Sequence, residues 1–245
     1  MNKDKFYNNL FDKFIEIVTD NGLLEERIRV EGITLSSIQA IGNTEKKDLP
    51  IIKGKEKLIE VTVKGVKGQA FTDMPSNFVG TLKEIIEMPL DSNFNRAIYI
   101  ATLNAVCRYL KLTNNTVHCK DDGPEKCAVE LVSYLESRFG NPKVALIGYQ
   151  PSMLDRLSKS FEVRVVDLDK NNINTMKYGV MVEDGEKDTE DLLKWCDVIL
   201  ATGSTIANKT ITSLFVDDKP TIFFGTTLAG AATLMGLERF CPFSK

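Results

Sequence analysis

Histidine and tryptophan occur once each in this 245-residue chain, and cysteine only five times. One histidine, His118, restricts any Ser/His/Asp or Cys/His nucleophilic arrangement to that single side chain. An odd number of cysteines in a chain this long does not form a disulfide framework and suits a reducing compartment. No run of apolar residues is long enough to span a bilayer. The first ten residues lack the basic-then-apolar layout of a signal peptide, so the expected location is the cytoplasm. An excess of positive charge is missing too. A formal net charge of −3 argues against nucleic-acid binding, which needs clustered cations to displace counterions from phosphates. The densest basic stretch, Lys46 to Lys57, reads as a solvated loop and strand edge.

What is present is an α/β pattern in two unequal parts. Phe6, Leu10, Phe14 and Ile17 recur at helical spacing in a helix over 3–20 that stops at Asn21-Gly22. Short alternating runs at 28–32, 33–42, 58–63 and 69–72, with a turn at Val66-Lys67-Gly68, predict a small antiparallel sheet. Helical spacing returns over 78–87 and 94–112. These elements make a small α+β domain, residues 1–112. The second domain is residues 113–245. It opens with a helix over 123–139, signalled by Asp122-Gly123-Pro124-Glu125. Strands at 143–147, 162–166, 197–201 and 220–224 then alternate with helices at 152–160, 189–195, 206–215 and 228–235, and 178–182 adds an edge strand. Continuous apolar strands such as Val198-Ile199-Leu200 between helices predict a Rossmann-like, doubly wound parallel sheet covered on both faces.

In such a sheet ligands bind beyond the carboxyl ends of the strands, where strand order reverses. If 143–147 and 197–201 flank that point, the crevice is lined by Gly148-Tyr149-Gln150 and by Gly203-Ser204-Thr205, with Gly225-Thr226-Thr227 one strand further on. Two of these loops place glycine and two hydroxyl residues before a helix, which offers N–H groups, hydroxyls and a helix dipole to an anion. The same residue types also serve as plain helix caps. Tyr149 is placed to stack on a planar ligand, and Asp167 stands where a ribose-binding acid would. The first loop lacks G-x-G-x-x-G, which disfavours NAD and FAD and leaves the cofactor open. His118, Cys119 and Cys127 form a second, soft-donor candidate for metal, although no Cys-x-x-Cys pair completes a tetrahedral set.

Four segments carry a family resemblance: Gly68-Gln69-Ala70-Phe71-Thr72; His118-Cys119-Lys120-Asp121-Asp122 with Pro124-Glu125-Lys126-Cys127-Ala128; Thr202-Gly203-Ser204-Thr205-Ile206-Ala207-Asn208; and Phe224-Gly225-Thr226-Thr227-Leu228-Ala229-Gly230 with Phe240-Cys241-Pro242-Phe243. The chain resembles a prokaryotic family labelled "putative heavy-metal chelation". The resemblance implies an enolase-N-terminal-like domain followed by a Rossmann-like domain, and a site in the cleft between them. Chelation is compatible with two things: metal held by the protein itself, or an organic chelator handled in the anion-binding loops. The expected partner is a small anionic, heteroaromatic or chelator-like molecule, bound by a protein that is an enzyme or a non-catalytic sensor. A homodimer is the default assembly.

Overall fold

A computed structural model describes residues 3–31, 42, 57–216 and 218–245. The run expected at 33–42 and the basic stretch from Lys46 fall almost wholly outside these residues. Helix α1 (Lys3–Asp20) buries Phe6, Leu10, Phe14 and Val18 completely, one face of a 3.6-residue period. Strands β1 (Arg27–Glu31), β2 (Lys57–Val63), β3 (Val66–Thr72) and β4 (Phe78–Thr81) form an antiparallel sheet in the order β3-β2-β1-β4. Lys64 and Gly65 both take positive φ in the two-residue turn joining β2 to β3, as a primed hairpin turn demands. The turn therefore precedes Val66-Lys67-Gly68, and Gly68 lies inside β3. A Cβ there would stand 2.3 Å from the Ala101 carbonyl and the Ala105 amide of helix α3 (Asn93–Tyr109). Only glycine lets that strand lie so close to that helix.

Residues 78–81 are strand rather than helix. They pair with β1, and Thr81 ends the strand while its side chain caps the short helix α2 (Leu82–Ile86) in a reciprocal capping box with Glu84.

Helix α4 (Gly123–Phe139) leads into the second sheet, which contains β5 (Val144–Ile147), β6 (Val163–Asp167), β7 (Met176–Lys177), β8 (Val180–Asp184), β9 (Val198–Thr202), β10 (Thr221–Phe224) and β11 (Arg239–Phe240). Their order is β11-β10-β9-β5-β6-β8-β7, parallel except for the β7–β8 hairpin. From β5 the chain moves outward through β6 to β8, then returns to β9 and continues the other way. The order reverses between β5 and β9, the doubly wound pattern. Helices α5 (Pro151–Ser160), α6 (Thr189–Trp195) and α7 (Ala229–Met235) follow β5, β8 and β10. Between β9 and β10 stand two 3-10 turns, Gly203–Ile206 and Ile211–Leu214, where an α-helix over 206–215 was expected. The 3-10 form is stabilised locally: the Thr205 hydroxyl donates to the Thr202 carbonyl and the Thr210 amide to the Thr205 carbonyl.

Alternate residues of each central strand serve different cores. Val144, Leu146, Val198, Leu200 and Ile222 face α4 and α5, whereas Ala145, Ile147, Ile199, Ala201 and Phe223 join a cluster containing α1, the first sheet and α3. The small sheet and its helices thus cover one face of the parallel sheet. No helix among the described residues is long and apolar enough to cross a membrane.

Candidate functional site

While the β5 end packs against Thr202 of β9, the turns after β9 and β10 meet β3, and the segment after α3 lies beside them. Tertiary hydrogen bonds seat the Gly225-Thr226-Thr227 turn there. The Phe71 amide donates to Thr227 Oγ1 at 3.1 Å, and Asn104 Nδ2 donates to the carbonyls of Gln69, Thr226 and Thr227 at 3.0–3.2 Å. Asn104 Oδ1 accepts from the Gly230 amide at 2.7 Å. Asn104 is fully buried, and its amide ties β3, α3 and the turn to the start of α7.

The four hydroxyl residues are all buried: Ser204 is 5 % exposed, Thr205 3 %, Thr226 0 % and Thr227 1 %. Their hydroxyls differ in what they do. Thr205 and Thr227 are engaged with backbone, Ser204 accepts from the Thr202 hydroxyl at 3.3 Å, and Thr226 Oγ1 has no partner among the described residues. The glycines of the loops are required. Gly148 has φ +90 and a Cβ there would meet Thr202 Cγ2 at 2.6 Å; one on Gly203 would meet the Leu228 amide at 2.9 Å. Gly225 also takes positive φ, at +91.

The β5 loop is more structural than its sequence indicates. Gln150 caps α5 by accepting from the Met153 amide, and Tyr149 is 3 % exposed within the second core. Lys177 Nζ lies 5.7 Å from the Tyr149 ring centroid. Asp167 accepts from the amides of Tyr149 and Asp169, each at 2.7 Å, and so fixes this loop from the neighbouring strand end. Burial pushes its carboxyl above the ordinary range, and those two amides pull it back.

His118 is held from behind by a polar relay. Its amide donates to Gln69 Oε1, Gln69 Nε2 donates to Glu60 Oε2, and Lys67 pairs with Glu60 Oε1 at 2.6 Å. The His118 ring stands edge-on to Phe71, and its Nδ1 lies 2.5 Å from the Cys119 carbonyl. A carbonyl only accepts, so Nδ1 carries the proton and Nε2 of the neutral ring is an acceptor. Burial lowers the His118 pKa below its ordinary 6.5 and so favours that neutral form.

Beside it gather Cys119, Cys127 and Cys241, the last unsuspected from spacing because it follows β11, far along the chain. Gly123 packs against Cys119, where a Cβ would stand 2.8 Å from the Cys119 Cβ. Burial, and then the proximity of Cys241, push the Cys119 thiol up to about 12, and the same causes raise Cys127. Among the described residues no group of three or more His, Cys, Asp or Glu is arranged to hold a metal ion. His118, Cys119 and Cys127 lie close in the fold. Nearby, Glu125 in the first turn of α4 accepts from the Ser152 hydroxyl in the first turn of α5 at 2.9 Å, while its Oε2 is buried without a partner.

Two solved structures share this fold. One is a protein of unknown function from the DUF364 family of Pyrococcus horikoshii, 17% identical over 91% of this chain and 79% of that one, with a TM-score of 0.53. The other, also a DUF364 protein of unknown function, is from Desulfitobacterium hafniense DCB-2, 13% identical over 94% of this chain and 84% of that one, with a TM-score of 0.50. No curated protein matches the chain. Residues 131–235 match the family model of DUF364, described as "Putative heavy-metal chelation", and the family that the motifs resemble is DUF364.

Proposed function

We propose that the chain binds a small organic anion, heteroaromatic or chelator-like, at the carboxyl edge of the parallel sheet, in the cleft where the Gly203–Thr205 and Gly225–Thr227 turns face β3 and His118. The observation that carries this reading is that, of four buried polar side-chain atoms without a partner among the described residues, two, Thr226 Oγ1 and Glu125 Oε2, lie in turns and helix starts beyond the strand ends, whereas Tyr99 OH and Thr102 Oγ1 lie within α3. Leaving such groups unsatisfied costs about 1–3 kcal/mol each, a cost that function explains better than folding does. A hydroxyl donor and a carboxylate acceptor together fit a molecule carrying both an anionic oxygen and a ring N–H. The His118 Nε2 acceptor matches the same ligand. In this reading heavy-metal chelation means handling an organic chelator, because no group of three or more His, Cys, Asp or Glu among the described residues is arranged to hold a metal ion.

Thr226→Val separates binding from folding. It removes a hydroxyl that nothing in the fold uses, so the unliganded protein is expected to gain about 1 kcal/mol. Pterin-6-carboxylate and orotate, each with a carboxylate and a ring N–H, are suitable probes in a thermal-shift titration. A saturable rise in Tm in the wild type, weakened at least tenfold in Thr226→Val, supports the site. Equal shifts in both proteins remove it.

A further inference from the structure

Away from that edge, a groove of about 540 Å³ runs between the end of α3, helix α7 and the start of β11, a volume within the usual range for small-molecule sites. Its charge is of one sign. Arg108, Lys111 and Arg239 line it, and no aspartate or glutamate does. Neither Arg108 nor Lys111 has an aspartate or glutamate at ion-pair distance among the described residues. Arg108 Nη1 donates to the Thr116 hydroxyl at 3.1 Å and to an oxygen of Lys245, the last residue of the sequence, at 2.7 Å, which partly offsets its charge and leaves Lys111 and Arg239 as the groove's uncompensated cations. The other guanidinium N–H groups of Arg108 have no acceptor among the described residues.

Arg239 is the more telling cation. It is half-buried and surrounded by main-chain oxygens: Nη1 donates to the carbonyls of Asn115 and Gly225, and Nη2 to that of Asn114, all at 3.2 Å. Carbonyl dipoles hold the guanidinium in place without neutralising it. Burial alone disfavours a charge so placed, and the retained charge calls for a counter-ion. Cations at the end of α3 also offset its dipole, which accounts for Arg108 and Lys111 singly. It does not account for Arg239 joining them across a cavity from another strand.

We propose that this groove is a binding site for a small polyanion, of the organic phosphate or polycarboxylate class, held by Arg108, Lys111 and the outer edge of Arg239, with the exposed Thr233 hydroxyl on its rim. The site is distinct from the strand-edge cleft and needs neither Thr226 nor His118. Because Arg239 also holds the Gly225 carbonyl, an anion here bears on the guanidinium that positions the strand-edge turn.

Inorganic pyrophosphate and citrate, titrated at constant ionic strength and followed by differential scanning fluorimetry, test the proposal. The wild type and Thr226→Val are expected to show the same saturable rise in Tm. Lys111→Glu and Thr233→Glu each place a carboxylate at or beside the groove on an exposed position, and each is expected to weaken binding at least tenfold while the unliganded protein stays folded. Response to one probe alone supports the site and identifies its class, phosphate or polycarboxylate. A rise that never saturates, or that persists unchanged in Thr233→Glu, reflects general ion effects and overturns it. Loss of the response in Thr226→Val with retention in both groove variants overturns it as well, by assigning the anion to the strand edge.

Discussion

Neutral His118 is the residue whose chemistry is most open to direct measurement, because no second histidine confuses the signal. Burial places its folded pKa below 6.5 while the unfolded chain keeps the ordinary value. Between those two values the unfolded state holds more protons than the folded one, so stability rises with pH across that window. The contribution is complete above 6.5, falls as pH drops through the window, and is constant below the folded pKa. NMR titration of the imidazole carbons is expected to give a midpoint below 6.5, and urea denaturation between pH 7 and 5 a loss that His118→Asn largely abolishes. A midpoint at or above 6.5 would mean that the ring is solvated and that the acceptor assigned to Nε2 is protonated near neutrality. His118 itself was legible in the sequence as the sole histidine. Its tautomer was not, since that depends on the adjacent carbonyl folding back onto Nδ1.

At the scale of elements, α3 organises the molecule. Gly68 lets β3 lie against it, and Gly230 lets α7 do the same, since a Cβ there would meet Leu103 Cδ2 at 2.4 Å. Asn104 then joins the three elements through four hydrogen bonds. Asn104→Ala leaves three carbonyls and one amide without their partner, and at roughly 1 kcal/mol or more for each buried group the expected loss is about 3–5 kcal/mol. Ser92→Ala is the comparison. It removes only the cap of α3, in which the Ser92 hydroxyl accepts from the Asn95 amide, for about 1 kcal/mol. Urea midpoints of the two variants are expected to rank in that order, and similar values would show that Asn104 is easily replaced by water. Sequence patterning finds α3 as a helix from its apolar stripe but has no means of finding this role. Asparagine inside a helix has low propensity, and its value here comes from partners far along the chain. For the same reason β4 was missed: four residues on an edge, the last of them a helix cap, carry no strand period that exceeds the helical spacing around them.

At the scale of the whole molecule, the sheet reversal between β5 and β9 was legible because fully buried strands read as unbroken apolar runs between helices. Where the Gly203–Thr205 and Gly225–Thr227 turns face was not, since that depends on how the first sheet docks. The proposed division into residues 1–112 and 113–245 describes topology. The packing is continuous across it: one buried cluster runs from Phe6 in α1 through α3 to Phe223 in β10. Hydrogen bonds follow the same path. The Tyr7 hydroxyl donates to the Ile206 carbonyl at 2.7 Å, Arg96 Nε to that of Ala207 at 2.6 Å, and Lys13 Nζ to that of Leu234 at 2.7 Å. Chains of this length often unfold in stages, but stages require an interface weaker than the cores on either side. Here the interface is itself core, so cooperativity is expected to prevail. Trp195, packed against this cluster from the second part, reports one side by fluorescence, and amide exchange in α3 reports the other. The two are expected to give the same unfolding free energy within about 1 kcal/mol. If α3 amides instead exchange through a transition well below that of Trp195, the first part opens by itself, and the support that β3 gives to the Gly225–Thr227 turn comes and goes with it.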